Sequence, residues 1–226
     1  MEKTIFCDSS SLISIAEACM LDVFEFFYKK GVNFFITDLI EEEIIKKPLS
    51  MEMKGYQLSA LRLKRLIEKE ILTVIKTEKK ATDELLNILN NIFFADGKPI
   101  KLIDAGEVNL ILAAEELNVY SLLIDERTTR LLIEAPFKIS EHLEDEIGLN
   151  ININQKNLRE ASRILSKFHV IRSTELITVA YLDGFFSKYE DQLSFFEASL
   201  YRLRYNGCAI SFDEIKELID IVRKNE

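Results

Sequence analysis

Short apolar runs alternate with amphipathic stretches through the first 135 residues of the chain. Lys3–Phe6 reads as a buried strand, and Ser9-Ser10-Ser11 opens a helix that continues through Leu12, Ile15, Ala16 and Cys19. A second helix covers Leu21–Lys30 and stops at Gly31. Asn33–Ile36 is a strand, and Thr37 is an N-cap for a helix over Asp38–Lys47, which Pro48 ends. Gln57–Lys69 has Leu58, Leu61 and Leu66 at helical spacing, and Leu72–Ile75 has strand character. Asp83–Phe94 reads as a helix, Asp96-Gly97-Lys98-Pro99 as a turn, Asp104–Leu117 as a helix and Val119–Ile124 as a strand. Arg127–Glu134 is a short helix stopped before Pro136. This alternation predicts an α/β fold whose parallel sheet is covered on both faces.

The pattern changes after residue 136. Helical periodicity is clear within 137–168 only from Leu158 to Leu165, so this stretch reads as an inserted segment. Its apolar residues Ile147, Leu149, Ile151, Ile153, Leu158, Ile164 and Leu165 are too many to leave in water, and they predict packing on the tail helices or at a subunit interface. His169–Ile171 is a last strand. Ser173–Phe186, Glu190–Tyr205 and Phe212–Arg223 are helical, so the tail over 169–226 is mostly α. The organisation read from the sequence is a core over 1–136, an insertion over 137–168, and a last strand with C-terminal helices packed on the core.

Composition narrows the class. A chain of 226 residues buries a sizeable core without staples. Three cysteines at irregular spacing give no zinc or disulfide pattern and point to a reducing compartment. No stretch has the roughly 20 apolar residues of a membrane helix, and Glu2 and Lys3 precede too few apolar residues for a signal peptide. The cytoplasm is the expected location, with no membrane partner. The net charge of −9 argues against a nonspecific basic clamp on nucleic acid, so any such contact must be local, metal-bridged or helped by a partner.

The chemistry lies in acids that end apolar runs. Asp8 follows Ile5-Phe6-Cys7, and Asp125 follows Leu122-Leu123-Ile124. Asp38 and Glu41–Glu43 follow Phe35-Ile36-Thr37, and Asp104 and Glu107 follow Ile103. The C-terminal ends of parallel strands converge on one sheet edge, so carboxylates distant in sequence meet there. Two carboxylates about 4 Å apart repel by roughly 4 kcal/mol at an effective dielectric near 20, so a cluster needs protons or a cation. A hard-metal site acting on phosphate is the simplest reading. Each acid also has a structural reading. Asp8 and Asp125 precede helices as caps, Asp104 and Glu107 have capping-box spacing, and Glu41–Glu43 fit a solvated helix face. On a 3.6-residue period Leu39, Ile40 and Ile44 form the buried stripe, and Glu42 points away from it. Glu41 and Glu43 border it, with Glu43 nearer its centre.

In order, Phe-Cys-Asp8-Ser-Ser-Ser-Leu-Ile, Ile-Thr-Asp-Leu-Ile-Glu-Glu-Glu43-Ile, Asp-Ala-Gly-Glu107-Val-Asn-Leu-Ile and Leu-Leu-Ile-Asp125-Glu-Arg-Thr-Thr-Arg resemble the PIN domain family, near the VapC-type toxin ribonucleases with a Gly-Glu motif. Tyr181-Leu-Asp-Gly-Phe-Phe and Leu203-Arg-Tyr-Asn-Gly-Cys-Ala-Ile-Ser-Phe-Asp are similar to that subgroup's closing segment. The resemblance implies a three-layer α/β/α sandwich and an endoribonuclease dependent on Mg²⁺ or Mn²⁺. It also implies Asp8, Glu43, Glu107 and Asp125 as metal ligands and catalytic residues. Ser9, Ser10, Asp104 and Thr128 are accessory candidates. An antitoxin protein and a homodimer are the partners it suggests besides RNA. The chain departs from the family at the 137–168 insertion, at the additional acid Asp104, and at Glu126, where many members carry an aspartate. A PIN-fold binding module without nuclease activity is the competing reading.

Other motifs are weak. No Walker A or dinucleotide fingerprint is present, and Ser10 stands where a dehalogenase-type phosphatase needs a second aspartate. His142 and His169 lie far from the acidic motifs. Arg62, Lys64 and Arg65, with Lys46, Lys47 and Lys54, form a basic patch that steers RNA or simply solvates a helix face. Tyr201-Arg-Leu-Arg-Tyr205 reads as RNA-stacking or as core packing.

Overall fold

The computed structural model describes residues 3–50, 54–77 and 80–224, with the side chains of residues 80, 81, 146 and 147 outside that description. Strand β1 (Lys3–Cys7) leads through helices α1 (Ser9–Glu17) and α2 (Asp22–Lys29) to β2 (Val32–Thr37). The chain continues as α3 (Asp38–Glu41), a π-helical turn over Glu42–Lys46, the single turn α4 (Lys47–Ser50), α5 (Gln57–Glu68) and β3 (Leu72–Ile75). Next come α6 (Lys80–Leu89), β4 (Phe93–Ala95), β5 (Lys98–Pro99), α7 (Ala105–Glu116), β6 (Ser121–Leu123) and α8 (Arg127–Glu134). Helix α9 (Lys138–Ile147), β7 (Ile151–Ile153) and α10 (Gln155–Leu165) precede β8 (His169–Ile171), and α11 (Ser173–Leu182), α12 (Gln192–Tyr205) and α13 (Phe212–Arg223) close the chain.

Strands β3-β2-β1-β6-β8 form one sheet in that order, and every neighbouring pair is parallel. Helices flank it. α7 packs on β1 and β2, α2 on β2, α5 on β3 and α8 on β8. The fold is α/β, as the alternation predicts. The sheet grows outward from β1 through β2 to β3, then the chain returns to the other side of β1 with β6. That reversal puts a topological switch point between β1 and β6. α7 is apolar on nearly every side, with Val108, Leu110, Ile111, Ala113 and Ala114 buried, as befits a helix enclosed by neighbours. Phe24 meets Phe34 edge to face at 4.8 Å on one face of the sheet, and Phe6 meets Phe35 at 5.6 Å on the other.

Several local readings change. Pro48 does not end the helix after Thr37. The Lys47 N–H bonds back to the Glu42 carbonyl five residues earlier, and this wider turn lets Pro48 sit in the first turn of α4, where no N–H is needed. On α5, Leu58 and Leu61 are 66% and 54% exposed, while Ser59, Ala60, Leu63 and Leu66 face inward. Polar contacts to α1 rotate the helix this way: the Ser59 hydroxyl donates to Glu17 at 2.5 Å and Arg62 to the Ala16 carbonyl at 3.0 Å. The predicted Asp83–Phe94 helix ends at Leu89 instead. Asn90 accepts from the Leu102 and Ile103 N–H groups at 2.7 and 3.0 Å, and this clamp turns the chain into β4. β4 pairs antiparallel with β5 across an Asp96-Gly97 turn with both φ angles positive.

The 137–168 stretch is ordered into α9, β7 and α10. β7 adds to β4 in a small antiparallel sheet, and α10 packs on α6 and α8 rather than on the tail helices. Leu158 and Leu165 are buried, Ile151, Ile153 and Ile164 are half-buried, and Leu149 is exposed; the Ile147 side chain lies outside the described residues. The tail helices instead pack on the start of the chain, α11 against α1 and α2, and α12 against α1.

Arg172 ties the tail together. It bonds Glu175 of α11 at 2.6 and 2.8 Å and Glu214 of α13 at 2.7 Å. Burial alone would raise the Glu214 carboxyl, but the Ser211 N–H, the Arg172 guanidinium and the Ser211 hydroxyl outweigh it and hold the carboxyl down to about 2. A depressed carboxyl stabilises the fold above its unfolded value and loses that contribution as pH falls through its folded value. Arg172→Met should cost about 2 kcal/mol, since both partners keep access to water, and lower Tm by roughly 4–8 °C at neutral pH. Thermal melts should also show that the variant loses less stability than wild type between pH 4.5 and about 2.

Candidate functional site

The C-terminal ends of β1 and β6 flank the switch point, and a cleft of about 510 Å³ opens beside them. Asp8, Glu42, Glu43, Asp104, Glu107 and Glu126 line it with Ser9, Ser10 and Lys47. Acids from four separate stretches of sequence therefore meet, as the convergence argument requires. Among the described residues of this lining, six are carboxylates and Lys47 alone is cationic.

Asp8 is delivered by β1 and caps α1. Only 3% of it is exposed, and its Oδ2 accepts from the Ser10 N–H at 3.0 Å and the Ser10 hydroxyl at 2.6 Å. Burial raises its pKa, the Ser10 and Ser9 donors offset part of the rise, and the charge of Glu43 adds to it. Glu43 comes from the π turn after β2. The turn brings Glu42 and Glu43 to the cleft together, whereas an uninterrupted α-helix would point Glu42 away from the core stripe. The Glu43 carboxylate lies over the start of α7: a Cβ at Gly106 would stand 3.7 Å from Glu43 Oε2, an ordinary contact distance.

Glu107 lies in the first turn of α7. Its Oε2 accepts from the Asp104 N–H at 2.8 Å, and its Oε1 accepts from the Thr129 hydroxyl. The Asp104 carboxylate pairs with Lys101 at the rim. Burial and then the Asp8 charge push Glu107 up to about 8, against the Asp104 N–H and the Thr129 hydroxyl, while Glu126 adds to the rise. Glu107 therefore holds a proton through most of the neutral range.

Asp125 sits at the same sheet edge but turns its carboxylate away from the cleft. It is fully buried, and its two oxygens accept from the N–H and hydroxyl of Ser173 at 2.7 Å each, at the first turn of α11. Its link to the cleft runs through the backbone, where its N–H donates to the Ser10 hydroxyl at 3.3 Å. Glu126, the next residue, faces the cleft and caps α8, accepting from Thr128 N–H at 2.9 Å and Thr129 N–H at 2.6 Å. Thr128 contributes only this N–H, and the hydroxyl that reaches Glu107 belongs to Thr129. In the sequence Glu126 stands out only as a departure from the family pattern and Lys47 only as part of the basic patch, while helical period turns Glu42 away from the core and nothing singles out Thr129. The capping position of Glu126 before Thr128-Thr129 was the available signal for two of them.

Of the basic candidates, Lys47 lines the cleft, whereas Arg62, Lys64, Arg65 and Lys46 are not part of its lining. Arg62 donates to the Ala16 carbonyl, Lys64 lies 3.8 Å from Glu68, and Arg65 is exposed on α5. Lys46 pairs with Glu41 at 2.7 Å. The thiols of Cys7 and Cys208 are pushed up by burial and by the neighbouring Asp8 and Asp125, so both stay protonated.

The side-chain donors of the cleft are carboxylate and hydroxyl oxygens, the set a hard divalent cation prefers. Among the described residues, no three His, Cys, Asp or Glu side chains stand close enough to hold an ion as arranged. Asp8 and Glu107 direct oxygens to Ser10 and Thr129. A cation held by these acids would have to displace the Glu107 proton, and its binding would then release a proton near neutral pH. Without it, a carboxyl raised to about 8 contributes stability that is complete below its unfolded value of 4.5 and is lost as pH rises through about 8. The metal-free protein should therefore melt at progressively lower temperature from pH 5 to about 8, and Glu107→Gln should flatten that decline. No family model matches the chain, and no curated protein or solved structure matches it either.

Proposed function

We propose that the protein is a PIN-like, three-layer α/β/α endoribonuclease that depends on Mg²⁺ or Mn²⁺ and hydrolyses RNA phosphodiester bonds. The observation that carries this reading is the convergence of Asp8, Glu43 and Glu107 in one cleft at the switch point of a parallel sheet. The order of acidic motifs along the sequence supports it independently. Asp8, Glu43 and Glu107 would hold the ion, with Glu126 at the rim. A bound divalent ion supplies Lewis acidity there, lowering the pKa of water and offsetting charge on the reacting phosphate.

The protein's own groups have separate tasks. Ser10 holds Asp8 in place through two hydrogen bonds and links it to the Asp125 backbone. Thr129 and the Asp104 N–H orient Glu107 toward the ion it would help hold. Lys47 lines the cleft where it can pair with a phosphate oxygen. Asp125 acts from behind, fixing the start of α11 against the sheet edge. The toxin-like resemblance extends the proposal to an antitoxin partner, a homodimer and a cytoplasmic setting. A second reading, a PIN-fold binding module without cleavage, is favoured by the commitment of Asp125 to Ser173 instead of the cleft.

Incubation with mixed single-stranded and structured RNAs separates the two. With Mn²⁺ the wild type should cut, EDTA should stop it, and added Mg²⁺ or Mn²⁺ should restore it. Asp8→Asn and Glu107→Gln should each lower the cleavage rate by roughly 100-fold or more while far-UV spectra stay native. A wild-type protein that binds Mn²⁺ and leaves the whole RNA panel intact would turn the assignment to the binding module.

A further inference from the structure

Beside the acidic cleft, the first turn of α8 opens a second cleft of about 620 Å³, with the opposite charge. Glu126 lines the acidic cleft, and the next residue, Arg127, lines the second one. Arg127, Arg130 and Arg204 share this lining with Phe212. Asp213 and Glu214 are there too, but each has a cation of its own. Asp213 pairs with Lys216 at 2.9 Å and Glu214 with Arg172 at 2.7 Å. Arg204 lies 4.1 Å from the centre of the Phe212 ring and donates to the Ile210 carbonyl.

Arg127 and Arg130 make no ion pair among the described residues; Glu134 acts on Arg130 only at longer range. The Nε of Arg130 is buried and has no hydrogen-bond partner. Buried N–H groups are nearly always paired, so an orphan in a charged cleft marks the place of a missing acceptor. The guanidinium fork matches two oxygens of one phosphate. Phe212 is part-exposed beside Tyr201, ring centres 6.1 Å apart, and Tyr205 is exposed at the end of the same α12 helix. Aromatic faces next to arginines are the equipment for stacking unpaired bases. An acidic peptide would satisfy the guanidiniums but makes no use of those rings.

We infer that the Arg127–Arg130–Arg204 cleft binds the phosphodiester backbone of the RNA strand whose scissile bond lies in the acidic cleft. The inference rests on the ribonuclease reading for the direction of that strand. It also moves the RNA-steering role from α5, where Arg62 and Lys64 are committed to Ala16 and Glu68, to the start of α8.

The test is fluorescence anisotropy with the full chain and a labelled single-stranded RNA of about 12 nucleotides, in EDTA so that nothing is cut. Arg127→Ala combined with Arg130→Ala should weaken binding about tenfold or more and reduce the salt slope of log K by about 1.4, the share of two phosphates on a single strand. Arg127→Glu, a change at an exposed position, should weaken it as well, while Arg62→Ala with Lys64→Ala should stay within about twofold of wild type. Circular dichroism checks each variant's fold. Both arginine variants binding as tightly as wild type would overturn the assignment. A poly-glutamate peptide that displaces the labelled RNA better than unlabelled RNA of equal charge would also overturn it, in favour of an acidic protein partner. Cleavage in Mn²⁺ is scored separately. RNA held through the arginines but never cut upholds the cleft and overturns the ribonuclease reading. RNA cut at the wild-type rate by the arginine variants does the reverse.

Discussion

Strand β1 runs through the middle of the sheet and delivers a carboxylate to a place that water barely reaches. Asp8 cannot stay ionised there on solvation alone, so the neighbouring structure supplies donors. The Ser10 N–H and hydroxyl take one oxygen, and the same hydroxyl accepts from Asp125 across the β1–β6 seam. Asp125, buried one strand away, is supplied in turn by the first turn of α11. Glu107 is the acid for which donors fall short, and it keeps its proton instead. Each acid at this edge thus answers the same cost of burial in a different way.

The start of α8 divides the surface electrically. Its capping acid faces one cleft and its first arginine faces the other. One helical turn therefore sets carboxylates on one side and guanidiniums on the other, although the chain as a whole is strongly acidic. The net charge of −9 hides this local arrangement, which is why it weighs little against a nucleic-acid ligand.

Where a feature depends on nearby residues, the sequence reads clearly. Thr37 caps the helix after β2, Arg127–Glu134 and Phe212–Arg223 are helices at the predicted bounds, and Leu72–Ile75 is a strand. The meeting of Asp8 with acids of the 41–43 stretch was also legible, because strand ends in a parallel sheet share an edge; the choice of Glu43 and Glu107 came from the family resemblance. What stayed hidden depends on distant partners. The inward face of α5 is chosen by hydrogen bonds to α1, which no periodicity within α5 reports. β4 exists because Asn90 turns the chain and β7, from the stretch that looked irregular, completes the pairing. Asp125 had the same strand-end signature as Asp8, but its side chain went to Ser173, and only the packing of α11 decides that. The π turn is a matter of backbone hydrogen bonding and leaves no mark on residue type beyond the proline that follows it.

The seam between β1 and β6 also has a history within each molecule. Ser10 and Asp125 are 115 positions apart, and Ser11 reaches the Leu123 carbonyl over 112. Joining such distant points costs roughly 4 kcal/mol of chain entropy before any contact repays it. Helices as short as α1 and α7 are marginal on their own, so before folding Asp8 and Glu107 stand on unconnected pieces of chain. Asp8, Glu43 and Glu107 come together only when α7 packs on β1 and β2. The cost of bringing those acids together therefore falls on the same packing that buries the apolar side chains of α7.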